Sequence, residues 1–197
     1  MRLTPKPAER RLVYDVESYA TGFADPAWVP QVVTCIAWKW YGADEVEVRT
    51  SLENSFQACP MPHLDPGAIQ RMLSDFMEDY AQADAVITYN GSRFDQPILN
   101  AMMWYVGGTP LPPKDMYDLH RFGVVKGMKK GLDNVAVQLG VAAEKQAMNH
   151  AEWQAAYLEP GWPTIQSRAT SDVLLTEAVF DAVEAKGWLK PAERWYP

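Results

Sequence analysis

The sequence predicts a single α/β domain over residues 1–197, with a mixed central sheet and helices on both faces. Two observations predict it. Three β-rich runs follow one another near the start, and helical patterns then alternate with short apolar runs, with no internal repeat. Hydrophobic residues make up 48% of the chain. A domain of this size buries roughly 70% of its unfolded surface, so it can build a core without a disulfide.

The first three elements are predicted to be strands. Residues 12–16 form a short β-rich run that can begin a central strand. Residues 32–40, VVTCIAWKW, are almost continuously apolar, as expected of a buried strand. Residues 45–50, EVEVRT, alternate between polar and apolar side chains, which is typical of a half-exposed strand. Together they indicate an antiparallel meander.

The next elements alternate between helix and strand. Asp65 and Pro66 are typical of a helix start, with Asp as the N-cap and Pro at the first helical position. Apolar residues recur at helical spacing over 67–82. A short apolar strand is expected at 85–89 and a helix at 96–106.

The second half of the chain carries fewer clear patterns. A strand is expected to end within 115–119, and a short amphipathic helix to cover 132–140. Residues 141–165 show no regular pattern and are expected to be irregular. The last predicted element is a helix over about 170–186. Tryptophans within the regular elements, such as Trp104, are expected to pack in the core.

Charge and cysteine usage narrow the function classes. The net charge of −7 and pI near 5.0 argue against a passive nucleic-acid coat, which would carry a basic footprint. They do not exclude a nuclease, because carboxylates that hold divalent cations become locally positive. The two cysteines have no paired spacing, so a cytoplasmic location is expected. No apolar run suits a signal peptide or a membrane span, so no membrane partner is expected.

The first candidate site is the pair Asp15 and Glu17. Side chains alternate along a strand, so both carboxylates project from the same face. Two carboxylates near buried apolar residues repel each other, and a cation between them removes that penalty. The alternative is an edge strand that shows two acids to solvent.

Two further acids lie at chemically suggestive places. Asp95 follows the turn at Asn90, in the first turn of a helix and at the carboxyl end of a strand, where open α/β sheets place ligands. It could also be an ordinary N-terminal helix acid. Asp172 lies on an otherwise apolar helix face, although a solvated face is the commoner setting for a single Asp.

Taken in order, these segments resemble the DEDD superfamily of ribonuclease-H-like 3′–5′ exonucleases, which includes the proofreading exonucleases. The resemblance spans residues 12 to about 185. The family has a D-x-E strand, an N-x-x-x-F-D segment and a helix with an Asp followed by apolar residues, matched here by Asp15 and Glu17, by Asn90, Phe94 and Asp95, and by Asp172. The resemblance implies a ribonuclease-H-like fold.

The resemblance also implies a chemistry: metal-dependent hydrolysis of DNA or RNA from a 3′ end, most naturally a single-stranded one. Two divalent cations would be the cofactors, and hard oxygen ligands suit Mg²⁺ or Mn²⁺. In the family pattern, Asp15 would bridge both ions, Glu17 and Asp172 would assist at one, and Asp95 would act largely through water. These four residues are the expected catalytic and metal-binding set.

The expected substrate contacts surround the same motifs. Ser18 occupies the family position that helps to hold the terminal nucleotide. Tyr19 follows the first motif and is a candidate for stacking on a terminal base. Asn90 is expected to contact the nucleic-acid backbone or to order its loop. Asp118, at a strand end, is a weaker candidate for supporting the site.

The sequence departs from the family at the residue that orients or deprotonates the attacking water. The family has a His five residues before the last Asp or a Tyr four before it, and here these positions hold Ser167 and Arg168. Neither is a plausible base, since Arg stays protonated. His150 or Tyr157 could reach the site instead. Alternatively, metals alone suffice and Arg168 holds a phosphate, or the chain is a catalytically degenerate nucleic-acid-binding module. A structural subunit that needs no metal is a further possibility.

Overall fold

A computed structural model describes residues 9–19, 31–51, 66–122, 131–141, 148–159 and 162–196. The strands within these ranges are β1 (Arg11–Tyr19), β2 (Val32–Trp40), β3 (Glu47–Thr50), β4 (Ala85–Thr88), β5 (Lys114–Asp118) and β6 (Glu193–Trp195). The helices are α1 (Pro66–Gln82), α2 (Asp95–Tyr105), α3 (Leu119–Phe122), α4 (Leu132–Leu139), α5 (His150–Ala156) and α6 (Pro163–Ala185).

The described strands form one mixed sheet in the order β3-β2-β1-β4-β5-β6. The pairs β1–β2 and β2–β3 are antiparallel, which confirms the predicted meander. The pairs β1–β4 and β4–β5 are parallel, and β6 closes the sheet with an antiparallel edge. The predicted α/β class with a mixed sheet is therefore confirmed.

The first strand lies in the interior of this sheet, between β2 and β4. Its neighbour β2 is buried from Val32 to Lys39, as its continuous apolar run predicts. The register of β1 against β2 shifts between Glu17 and Ser18, which is a β-bulge or a similar irregularity. Such irregularities often lie next to functional sites because they change the direction of a side chain.

Each face of the sheet is covered by helices, so the expectation of helices on both faces is confirmed. On one face, Tyr14 packs with residues of α1 and α2 such as Phe76 and Leu99. On the other face, Val13 packs with residues of α4 and α6 such as Val135 and Val179. Because alternate residues of β1 point to opposite faces, Asp15 and Glu17 project on the side of Val13, toward α6.

The structure corrects the expectation that residues 141–165 are irregular. Helix α5 begins after Asn149, whose side chain accepts hydrogen bonds from the backbone of Ala151 and Glu152 as part of a capping box. Helix α6 begins at Pro163 rather than near residue 170, with a proline in its first turn.

The structure corrects one further expectation, on Trp104, and does not describe the residue of another, Asp65. The expectation that Trp104 packs in the core is wrong, because Trp104 lies on the outer face of α2 and is 72% exposed. The predicted N-cap at Asp65 lies outside the described residues. None of the helices in the described part of the chain is long and apolar enough to cross a bilayer.

Candidate active site

The middle of β1 supplies two carboxylates to the face of the sheet that α6 covers. Asp15 pairs in register with Ala37 and Glu17 with Cys35, both fully buried residues of β2. The two acids are themselves half-buried. The sequence alternative of an edge strand showing its acids to solvent therefore does not apply, because β1 is an interior strand.

Helix α6 places a third carboxylate against this pair. The helix packs on β1 and β2, and Asp172 lies on its inner face, where it is 6% exposed. Carboxylate oxygens of Asp15, Glu17 and Asp172 all lie within 4.8 Å of one another. Three buried or half-buried carboxylates this close repel one another unless positive charge lies among them. Their chemistry fits a hard divalent cation such as Mg²⁺ or Mn²⁺, since every donor is a carboxylate oxygen.

Part of that positive charge comes from Arg168, one helical turn before Asp172. Its Nε lies 3.2 Å from Oε1 of Glu17, and its Nη2 lies 4.0 Å from Oδ2 of Asp172. The guanidinium carbon also lies 4.8 Å from the ring centroid of Trp153 on α5. The residue at the position where the DEDD exonucleases that the sequence resembles have Tyr is therefore an ion-pair partner of the carboxylates and not a proton acceptor.

Asp95 lies beside this cluster but is not one of the three residues whose oxygens come within 4.8 Å of one another. It begins α2, is 3% exposed, and accepts a hydrogen bond of 3.0 Å from the backbone N–H of Val16. Burial, and next the negative charge of Asp15, raise the pKa of Asp95 well above its ordinary value of 3.8. The structure thus joins the second motif to β1 directly, and a metal-binding role for Asp95 stays a prediction.

The turn before Asp95 is held by a buried acid that sequence reasoning ranked low. Asp118, at the end of β5, is 1% exposed and accepts hydrogen bonds from the backbone N–H groups of Asn90, Ser92 and His120 and from the Ser92 hydroxyl. Asn90 adopts a left-handed conformation with φ of 68°, which Asn tolerates better than most residues. Asp118 therefore stabilises the turn that leads into α2.

The residues expected to contact substrate lie along the end of β1. The Ser18 hydroxyl lies 3.5 Å from Oε1 of Gln31, at the outer limit of a hydrogen bond. Tyr19 contacts the ring of Tyr157 edge-on, with centroids 4.9 Å apart. Their expected roles as substrate contacts stay predictions.

The sequence offered Tyr157 and His150 as candidates for the missing base. The Tyr157 hydroxyl lies 2.8 Å from Oγ1 of Thr34, which donates to the Glu17 carbonyl. Burial raises the pKa of this hydroxyl, so the hydroxyl keeps its own proton. Tyr157 is therefore poorly suited to accept a proton from water. His150 is the first residue of α5, and its side chain lies outside the described part of the structure. A catalytic role for His150 stays a prediction.

Sequence reasoning did not identify Trp153 as part of this region. Trp153 stacks on Tyr157 with an interplanar angle of 24°, and its ring also contacts Arg168. The two aromatic residues therefore line the α5 side of the carboxylate cluster. The capping signature from Asn149 to Glu152 could have revealed α5, but the proximity of α5 to Arg168 depends on tertiary packing.

Fold and site together define an α/β protein with a cluster of carboxylates on an interior strand and on the helix packed against it. The chain belongs to the RNase H superfamily, whose family model matches residues 33–176. A comparison with curated proteins finds no match.

Among solved structures, the chain resembles the family B DNA polymerase of the hyperthermophilic archaeon Pyrobaculum calidifontis. The TM-score is 0.68 at 20% sequence identity, and the match covers 93% of this chain. It covers only 25% of the polymerase chain. At this identity the likeness shows a shared fold.

Proposed function

We propose that this chain is a divalent-metal-dependent 3′–5′ exonuclease that hydrolyses phosphodiester bonds of DNA or RNA. The observation that carries the proposal is the cluster of Asp15, Glu17 and Asp172, whose carboxylate oxygens lie within 4.8 Å of one another. The RNase H superfamily membership supports nuclease chemistry. The resemblance to DEDD exonucleases, through motifs at Asp95 and Asp172 among others, favours removal of nucleotides from the 3′ end.

Asp15, Glu17 and Asp172 would hold the metal, which we propose to be two Mg²⁺ or Mn²⁺ ions. Such ions lower the pKa of water and stabilise charge on the leaving oxygen of a phosphodiester. Asp95 holds β1 and α2 together through the Val16 N–H, and we propose that it also assists through water. The apolar residues around β1 limit water around the cluster, which strengthens its interaction with cations.

The nucleic acid would approach along the end of β1. We propose that Ser18 holds the terminal nucleotide, that Tyr19 stacks on its base, and that Asn90 contacts the backbone. Arg168 is positioned to bind a phosphate once it leaves Glu17, because a guanidinium forms paired hydrogen bonds with phosphate oxygens. A single-stranded 3′ end is the simplest substrate for these contacts. The cytoplasmic location expected from the cysteine usage stays a prediction.

A second candidate is a nucleic-acid-binding module without turnover. The observation that favours it is Arg168, which replaces the family's Tyr and forms an ion pair with Glu17 at 3.2 Å. In that case the guanidinium would replace the metal permanently, and the fold would bind nucleic acid without cleaving it.

The test is cleavage of 5′-labelled single-stranded DNA and RNA oligonucleotides with Mg²⁺, Mn²⁺ or EDTA. Wild type is compared with Asp15→Asn, Asp172→Asn and the control Asp181→Asn. Asp181 is also an acid of α6, exposed and bonded to the Tyr41 hydroxyl, and lies about 13 Å along the helix from Asp172. The control thus removes the same charge far from the cluster.

A ladder that shortens from the 3′ end in wild type and Asp181→Asn, but not with EDTA or in the other two variants, is the expected result. Internal products alone would retain the nuclease and contradict the 3′–5′ polarity. Binding without cleavage under both metals would support the silent module. Equal cleavage by Asp172→Asn and wild type would contradict the assignment of the site.

A further inference from the structure

Arg168 occupies an unusual position for a basic side chain on a helix that packs against a sheet. Its side chain is only 18% exposed, and those of its partners Glu17 and Asp172 are 12% and 8% exposed. The Trp153 ring covers the guanidinium at 4.8 Å. The charge is therefore largely removed from water, and the guanidinium contacts include two carboxylates and an aromatic face.

Through these contacts Arg168 supplies the carboxylates with the positive charge that a metal ion would otherwise supply. The carboxylate cluster is unfavourable without positive charge, and a guanidinium is a permanent positive charge in proteins. Its planar shape lets it contact carboxylates on β1 and α6 at once. The ion pairs of Arg168 therefore connect the two elements that carry the cluster.

We propose that Arg168 is an internal cation that holds the carboxylate cluster together without metal and competes with divalent cations for Glu17 and Asp172. This inference rests on the proposed metal site and adds to it the residue that sets its affinity. Nε contacts a carboxylate oxygen of Glu17, which is one of the three residues that would hold the ion. The guanidinium must therefore withdraw, or remain nearby as a repelling like charge, before the ion binds.

Trp153 determines where the guanidinium can withdraw to. The cation–π contact is worth most where water is excluded, and it does not involve the carboxylates. When a metal takes the carboxylate oxygens, Arg168 keeps the contact with Trp153 and stays beside the cluster. Arg168 therefore lowers the affinity of the carboxylate cluster for metal. A phosphate attracts both the metal and the guanidinium, and so it favours the cluster with metal bound.

The experiment measures Mn²⁺ binding by calorimetry and thermal unfolding, without nucleic acid. Arg168→Gln removes the charge but keeps a polar side chain, and Arg168→Lys keeps the charge without the planar guanidinium. The control is Arg194→Gln on β6, which also loses one positive charge and an ion pair, here with Asp115 at 3.1 Å. Strand β6 lies at the far edge of the sheet from β3 and does not pair with β1.

We expect Arg168→Gln to bind Mn²⁺ about tenfold more tightly than wild type, since a like charge near the ion is removed. Without metal its melting temperature falls below that of wild type, and with saturating Mn²⁺ it recovers. Arg168→Lys stays closer to wild type in affinity than Arg168→Gln does. Arg194→Gln changes neither affinity nor the stabilisation by Mn²⁺.

The possible outcomes separate this inference from the proposed function. If Arg168→Gln binds Mn²⁺ no more tightly than wild type while Asp172→Asn loses binding, Arg168 is not a competitor and the metal site stands. If Arg168→Gln does not fold and Arg168→Lys binds Mn²⁺ more weakly than wild type, we again conclude that Arg168 is not a competitor and that the metal site stands. If neither wild type nor any Arg168 variant binds Mn²⁺, the metal site and the competition both fail. If Arg168→Gln binds Mn²⁺ and wild type does not, the guanidinium competes strongly enough to exclude the ion, which supports the inference.

Discussion

Replacement of Asp118 by Ala is expected to destabilise the protein strongly and to disturb the site from a distance. Asp118 is 1% exposed and accepts four hydrogen bonds from described residues, two of them from Ser92 and one each from Asn90 and His120. The distances are 2.5–3.1 Å.

The magnitude follows from the number and type of these bonds. A hydrogen bond to a charged group contributes about 1.5–3 kcal/mol, but some of the donors are half-buried and can bind water in the variant. The total loss is therefore about 3–5 kcal/mol. For a domain of this size each kcal/mol lowers the melting temperature by about 2–4 °C, so a fall of about 6–20 °C is expected.

The assay is thermal and urea unfolding of Asp118→Ala beside Asp115→Ala. Asp115 lies on the same strand but is half-exposed and pairs only with the exposed Arg194 among the residues that the structure describes. Such surface pairs contribute about 0–1 kcal/mol, so this control should stay close to wild type. A loss below about 1 kcal/mol for Asp118→Ala would refute the argument.

Three further predictions concern stability without metal. The raised pKa of Asp95, caused first by burial, means that the folded protein keeps a proton that the unfolded chain releases, so stability falls as pH rises from about 4 through the raised pKa. Asp95→Asn should remove this slope and raise the melting temperature at neutral pH. Lys39→Met should cost about 3 kcal/mol or more in urea unfolding, because it leaves the largely buried Glu177 without its ion-pair partner. Gly91→Ala should cost about 1–3 kcal/mol in the same assay, since its Cβ would lie 2.5 Å from Oγ1 of Thr88.

Each of these predictions has an outcome that contradicts it. An unchanged pH slope in Asp95→Asn would show that the pKa of Asp95 is not raised in the folded protein. Wild-type stability of Lys39→Met would mean that the carboxylate finds water or another donor. Wild-type stability of Gly91→Ala would mean that Thr88 moves aside without cost.

Most of the sheet could be predicted because its signals are local. The continuous apolar run of β2 and the alternation in β3 predicted both strands, and their register confirms the meander. Strand β6 was not predicted, because three exposed or half-exposed residues after a proline carry no β pattern. Its pairing with β5 depends on where the chain returns after α6.

Helix α5 and the start of α6 were missed for a different reason. Seven residues are too short for a clear apolar period, and the capping box from Asn149 to Glu152 was the usable signal. Pro163 marked the start of α6, but the apolar period becomes clear only further along the helix. Trp104 was assigned to the core because most positions of α2 are apolar, so the pattern in this helix does not show which of them face outward.

The sequence predicted the three acids that the structure brings together, but not their geometry. The alternation of a strand predicts that Asp15 and Glu17 share a face, whereas the approach of Asp172 requires the packing of α6 on the sheet. The ion pair from Arg168 to Glu17 joins residues far apart in sequence, so no local pattern could show it. Asp118 was a weaker candidate for supporting the site, and its hydrogen bonds to the turn after β4 were visible only in the structure.

The most direct test of the central claim is an anomalous-scattering map from crystals of the wild-type protein soaked in Mn²⁺. We expect at least one strong peak among the carboxylates of Asp15, Glu17 and Asp172, with the Arg168 guanidinium no longer in contact with Glu17. A map with no peak at this cluster, or with Mn²⁺ bound only at other acids, would contradict the assignment of the cluster as the metal site.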